Sequence, residues 1–120
     1  MIYLFAILGI KHFIFDFLYQ PPYMWQNKGT FGHPGGIIHS GLHAIATFII
    51  LLFFTLSPIA FFIAGTEFVV HYLTDWAKMN INRNKGWGAT THNEFWILMG
   101  LDQLVHYLTY VGIVAAVYGV

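Results

Sequence analysis

Nine ionisable side chains lie inside otherwise apolar stretches of this chain, and most of them fall four residues apart. They are His12 and Asp16, His39 and His43, Glu67, His71 and Asp75, then Asp102 and His106. An i, i+4 spacing puts both members of a pair on one face of a helix. Each of four hydrophobic segments contributes at least two such residues. A charged side chain near the centre of a bilayer costs about 2.5–3.5 kcal/mol. Four acids in apolar segments therefore require a bound cation, protonation or one another.

Composition places the apolar segments in a membrane. Hydrophobic residues make up 58% of the chain, charged residues 8%, and the mean hydropathy is +0.64. Aromatic residues reach 19% and supply the amphipathic rings expected at membrane interfaces, with Trp25, Trp76, Trp87 and Trp96 reading as an interface belt. A length of 120 residues suits one domain. Four crossings at roughly 20 residues each would place about 80 residues in lipid. Five basic residues balance five acidic ones, which argues against a nucleic-acid partner. There is no cysteine, so disulfides and thiolate chemistry are excluded and any metal site must use nitrogen and oxygen.

The expected fold is an all-α membrane protein, a four-transmembrane-helix bundle with a His/Asp-rich polar site near one membrane face. Its helices are predicted over residues 1–20, 37–56, 58–79 and 92–118. The first segment lacks a basic start and a small-residue cleavage site, and it carries Lys11, His12 and Asp16, so it does not read as a signal peptide. Pro21 and Pro22 end it. Residues 23–36, rich in glycine and holding His33 before Pro34, read as a flexible mouth loop, with His33 as a gate or simply a loop residue. Ser57 followed by Pro58 predicts an N-cap and first helical residue, making a tight hairpin of the second and third helices. Asn80 to Gly88 mark the end of the third helix. Thr91-His92-Asn93-Glu94 matches a capping box that starts the fourth.

Alternating helix direction brings the polar pairs to one depth. Asp16 and Asp75 each lie about a turn before the end of a helix, His39 lies near the start of one, and Asp102 and His106 fall in the first half of the last. At a rise of about 1.5 Å per residue, most of these side chains sit roughly 5–15 Å from the same face. Lys28, Lys78, Arg83 and Lys85 flank the loops on that face, while the 55–57 turn and both chain ends carry no basic side chain. The positive-inside rule then puts the site at the cytoplasmic face and both termini outside.

Imidazoles and carboxylates without sulfur suit a divalent transition metal: zinc, manganese or iron. The candidate ligands are His12, Asp16, His39, His43, His71, Asp75, Asp102 and His106. They are more than one ion needs, so they fit either two ions or one ion with supporting His–Asp pairs. Asp102 and Glu67 are candidate proton carriers. Glu67 lies a turn deeper and reads equally as a supporting group or a protonated acid. The competing reading is a non-catalytic His–Asp network that locks the bundle. Lys78 shares the face of Glu67, His71 and Asp75, and reads as a snorkelling helix-end lysine ahead of an anion-binding one. Gln20 and Gln103 can donate hydrogen bonds at the site. Lys11 has no evident place.

The blocks His12-Phe-Ile-Phe-Asp16-Phe-Leu-Tyr-Gln20, His39-Ser-Gly-Leu-His43, His71-Tyr-Leu-Thr-Asp75-Trp-Ala-Lys78 and Leu101-Asp102-Gln103-Leu-Val-His106 resemble, in order and over nearly the whole chain, those of domain-of-unknown-function family 3307. That resemblance implies a small bacterial or phage membrane protein, placed in a bacterial inner membrane or the membrane of an infected host, with no assigned activity. Gly32-His33-Pro-Gly-Gly-Ile-Ile-His39-Ser40 and His71-x3-Asp75 are more loosely similar to blocks of predicted inner-membrane metal-dependent hydrolases, with glycines replacing a basic residue in the first block. The favoured expectation is a metal-dependent hydrolase acting at the cytoplasmic leaflet on a phosphate or ester, with a lipid or phosphate-ester substrate. The alternatives are a metal or proton transporter or channel, a di-metal oxidase, and the structural network. The partners expected are the lipid bilayer and that substrate; a homo-oligomer is compatible with the same sequence.

Overall fold

A computed structural model describes residues 1–120. It contains five α-helices and no strand: α1 (Ile2–Phe13), continued by a π-helical turn over Ile14–Leu18, α2 (Pro22–Trp25), α3 (Pro34–Leu51), α4 (Ser57–Lys85) and α5 (Asn93–Tyr118). Helices α3 and α5 are each long and apolar enough to cross a membrane. The long helices run antiparallel to their neighbours. His39 lies by Asp75 and His43 by His71 across α3 and α4, and Lys78 meets Asp102 while His71 meets His106 across α4 and α5. Helix α1 lies against α3 through Lys11 and Thr47, and against α5 through His12 and Tyr110.

The interior is polar and the exterior apolar. Of 24 buried residues, 14 are polar or charged and eight hydrophobic. At one end, Leu4, Leu8, Leu51, Ala60, Tyr110 and Ile113 form the apolar core. Beyond it the buried face of α4 runs Ala60, Ala64, Glu67, His71, Asp75, Lys78, the three-and-four spacing of a single helix stripe. Meanwhile Phe53, Phe62, Leu56 and Phe61 are 69–84% exposed.

Helix boundaries differ from expectation where local chemistry overrides the pattern. Helix α3 starts at Pro34, earlier than residue 37, because His33 caps it: the Gly35 N–H donates to His33 Nδ1 at 3.0 Å. Helix α4 has Leu56 as its N-cap, so Ser57 is already helical, and proline sits within its first turn, where a missing N–H costs nothing. The helix continues past Met79 to Lys85. Asparagines at 80, 82 and 84 do not break it; Gly86 does, at φ +68°, a left-handed conformation glycine adopts freely. The capping box at Thr91 does not form. His92 is the N-cap and makes no side-chain cap, while the Thr91 hydroxyl contacts Gly88 O and His92 Nδ1.

The segment expected to be a flexible mouth is tied down. It contains α2, and the Gly32 N–H donates to the Tyr72 hydroxyl at 2.6 Å. Asn80 Nδ2 donates to Gly29 O at 2.8 Å, and Phe31 packs edge-on to Tyr72 and Trp76. A Cβ at Gly35 would overlap the Tyr23 carbonyl oxygen, and one at Gly36 would press on Lys28 Cα at 3.3 Å. The glycine pair thus lets the segment lie directly on α3 and carries Lys28 into the interior.

Candidate metal centre

Asp16 occupies the π-helical turn, where the Tyr19 N–H donates to Ile14 O five residues back at 2.7 Å. Such turns insert an extra residue and recur at functional sites. Asp16 Oδ1 stands 3.0 Å from His39 Nε2, 3.0 Å from His43 Nε2 and 3.7 Å from His71 Nε2. His39 Nε2 and His71 Nε2 are 3.1 Å apart. Ligands held tetrahedrally at about 2.0–2.1 Å from an ion lie roughly 3.3–3.4 Å from one another, so these separations fit one ion among four donors. All four residues are buried.

A second group, His71, Asp75 and His106, also has its donor atoms within 4.8 Å of one another. His71 belongs to both groups, and its Nε2 also lies 3.3 Å from Asp75 Oδ2. A purely hydrogen-bonded cluster requires one of His39 Nε2 and His71 Nε2 to accept from the other. If both His39 Nε2 and His71 Nε2 carried hydrogens, two N–H groups would oppose each other at 3.1 Å. The Nδ1 atoms of His39, His43 and His71 lack hydrogen-bond partners, a cost common to a metal-bound and a metal-free centre.

Three lysines enter the interior, and each meets an acid. Lys28 Nζ lies 2.9 Å from Asp75 Oδ2. Lys78 Nζ lies 3.0 Å from Asp102 Oδ2 and 3.7 Å from Asp75 Oδ1. Lys11 pairs with Glu67, donates to the Thr47 hydroxyl at 3.0 Å and to His43 O at 3.5 Å, and sits 4.7 Å from the centre of the Tyr110 ring. Snorkelling is therefore overturned for Lys78, which is 7% exposed. Asp16 is the one buried acid flanked only by imidazoles.

The remaining candidates surround the centre. His12 Nε2 is 3.3 Å from Asp16 Oδ2, but it also meets Gln103 Oε1 at 2.8 Å while Nδ1 meets the Tyr110 hydroxyl at 3.0 Å. With both nitrogens engaged, His12 belongs to neither group of converging donors. Asp102 Oδ1 is 3.5 Å from His106 Nε2, and Asp102 Oδ2 accepts from Lys78 and Gln103. Glu67 is held away from the centre by Lys11. Gln20 donates to the Asp16 backbone carbonyl, and His92 is exposed.

Sequence reasoning missed Lys11, Lys28, Thr47 and Tyr110. Helix spacing contained the signal for two of them, since Lys11 follows Leu4 and Leu8, and Tyr110 follows Asp102 and His106 on one stripe. Lys28 carried none, because a connecting segment has no period. No characterised protein and no solved structure gives a significant match to the chain, and the hydrolase resemblance gains no support from these comparisons. Residues 4–120 match the family described as "Protein of unknown function (DUF3307)", and the chain belongs to that family.

Proposed function

We propose that this chain is an integral membrane metalloprotein, a four-helix transmembrane bundle that hydrolyses an ester or phosphate ester at one leaflet. The membrane reading is supported by the inverted polarity: buried histidines, acids and lysines inside an apolar exterior. Lipid tolerates ionisable groups when they face the bundle interior and pair there. Helix α1 with its π-helical turn, and α4 with its acids and lysine buried, complete the crossings that α3 and α5 satisfy on hydropathy alone.

The observation that carries the metal reading is the convergence of His39, His43 and His71 Nε2 on Asp16 Oδ1. Four protein donors fill a tetrahedral ion, so a divalent ion there would need a fifth position, or the release of one donor, to bind a water, lower its pKa towards about 7 and polarise a scissile oxygen. His106 and Asp102 carry the proton in this reading, since His106 Nε2 lies between Asp75 Oδ1 at 3.6 Å and Asp102 Oδ1 at 3.5 Å. Glu67 takes a different role from the one expected, as the charge partner of Lys11. Three lysines already offset three of the four acids, so one divalent ion suffices and a second would leave a large excess of buried positive charge.

Conduction is the weaker reading. Below the Lys11–Glu67 pair, Leu4, Leu8, Leu51, Ala60 and Ile113 close the interior without a polar side chain. The test is hydrolysis of a panel of lipid esters and phosphate esters by zinc- or manganese-loaded protein in detergent. Metal-dependent cleavage supports the hydrolase; metal-dependent ion flux in vesicles with no cleavage overturns it.

A further inference from the structure

We infer that the substrate is a lipid bearing an anionic phosphate group, which enters sideways through a groove between α4 and α5 and places its phosphate on Lys78. This rests on the metal-centre reading and specifies what that centre acts on. The groove has a volume of about 340 Å³, and Lys78 and Asp102 form its polar floor. Its walls include Leu73, Ile81, Leu101 and Val105, which are 38–52% exposed on the apolar outer surface. An acyl chain fits such walls, and it would reach them from the bilayer without crossing water.

The floor has donors to spare. An ammonium carries three N–H groups. Lys11 uses all of its own, on Glu67, Thr47 and His43 O. Lys78 makes a single hydrogen bond, to Asp102 Oδ2, although its surroundings are equally buried. That leaves N–H groups beside the groove for a phosphate oxygen. Charge agrees with this assignment. Around the centre, Lys28, Lys78 and one divalent ion face Asp16, Asp75 and Asp102, leaving one positive charge uncompensated until a water on the ion ionises. A single anionic group neutralises it, whereas a zwitterionic or neutral lipid does not.

The route from floor to centre is short. Lys78 Nζ is 3.7 Å from Asp75 Oδ1, and Asp75 Oδ2 is 3.3 Å from both His39 Nε2 and His71 Nε2. One carboxylate, that of Asp75, therefore separates Lys78 from the donors of the proposed ion, and a phosphate on Lys78 would have its chain directed outward to lipid.

Native mass spectrometry of metal-loaded protein in detergent, with dioleoyl phosphatidic acid and dioleoyl phosphatidylcholine in competition, tests the assignment. The expected result is one phosphatidic acid retained per chain, with at least fivefold preference over phosphatidylcholine. Leu101→Trp fills the groove from its exposed side without touching the ion pair, and should abolish retention. The paired change Lys78→Met with Asp102→Asn removes the floor without leaving a lone charge, and should abolish the preference. Equal retention of both lipids, or undiminished preference in both variants, would overturn the inference. Displacement of phosphatidic acid by stoichiometric inorganic phosphate would also overturn it, by assigning the site to free phosphate. Metal analysis of the same samples separates the two readings. Metal without lipid preference removes the groove alone, and preference without metal removes the centre alone.

Discussion

Lys11 and Glu67, 56 residues apart, neutralise each other one turn below the His–Asp centre, at the edge of the apolar core. The pair ties α1 to α4, and the third and fourth groups around it, Thr47 and His43 O, come from α3. In the proposed membrane setting lipid would supply no hydrophobic drive between helices, so such polar ties would hold the bundle together at the depth of the His–Asp centre. Removing one partner strands a buried charge. Lys11→Met or Glu67→Gln alone should cost about 3–5 kcal/mol, and the double substitution far less than their sum. Denaturation in mixed micelles measures this; additive losses would show that the pair is not coupled.

Metal content should separate the converging donors from their neighbours. Chelator-free preparations should hold close to one transition-metal ion per chain. His71→Ala should lose most of it, because His71 is shared by both groups of donors. Asp102→Asn should keep the ion and lose activity, since Asp102 contacts His106 and Lys78 outside the four converging atoms. Elemental analysis beside the hydrolysis assay checks both. A full metal complement in His71→Ala would place the ion elsewhere.

The helical pattern of the sequence exposed the convergence itself. His39, His43, His71 and Asp75, the ligands the pattern favours, lie on stripes whose period is visible without a structure, and the stripes meet in the interior. The donor that joins the three histidines, however, is Asp16, while Asp75 falls in the second group and pairs with Lys28. What the pattern concealed was the company those residues keep. Lys78 continues the stripe of Glu67, His71 and Asp75, yet a lysine at a helix end is ordinarily drawn to water; only Asp102 on α5, 24 residues away, explains its burial. Lys28 enters the core because Gly35 and Gly36 admit the backbone of the connecting segment against α3, a relation between elements that periodicity does not encode. The same burial removes Lys28 and Lys78 from the charges expected to set membrane orientation.

Orientation should then rest chiefly on Arg83 and Lys85, at the exposed end of α4. The absence of cysteine makes this directly measurable. A cysteine placed at Asn84 should react with a membrane-impermeant maleimide only from the cytoplasmic side, and one placed at Leu56 only from the opposite side. Replacing Arg83 and Lys85 together with glutamine should produce molecules of mixed orientation. Labelling of Asn84→Cys from the outer side in the otherwise unchanged chain would reverse the proposed placement of the site.

The glycine pair beneath the connecting segment gives the last test, because two glycines of the same helix should respond in opposite directions. At Gly41 nothing lies within 4 Å of an added Cβ, so Gly41→Ala removes backbone freedom from the unfolded chain and should stabilise by about 0.5–1 kcal/mol. At Gly35 the added carbon meets the Tyr23 carbonyl oxygen and the Cβ of Asn27. The segment must lift, and Lys28 must move from Asp75. Gly35→Ala should therefore destabilise by about 1–3 kcal/mol, the usual cost of overpacking, while the four donors around Asp16 keep their ion. Thermal unfolding and metal analysis of the two variants decide it. Equal stability for both would mean that the segment is not pressed against α3, and that Lys28 reaches Asp75 by some looser route.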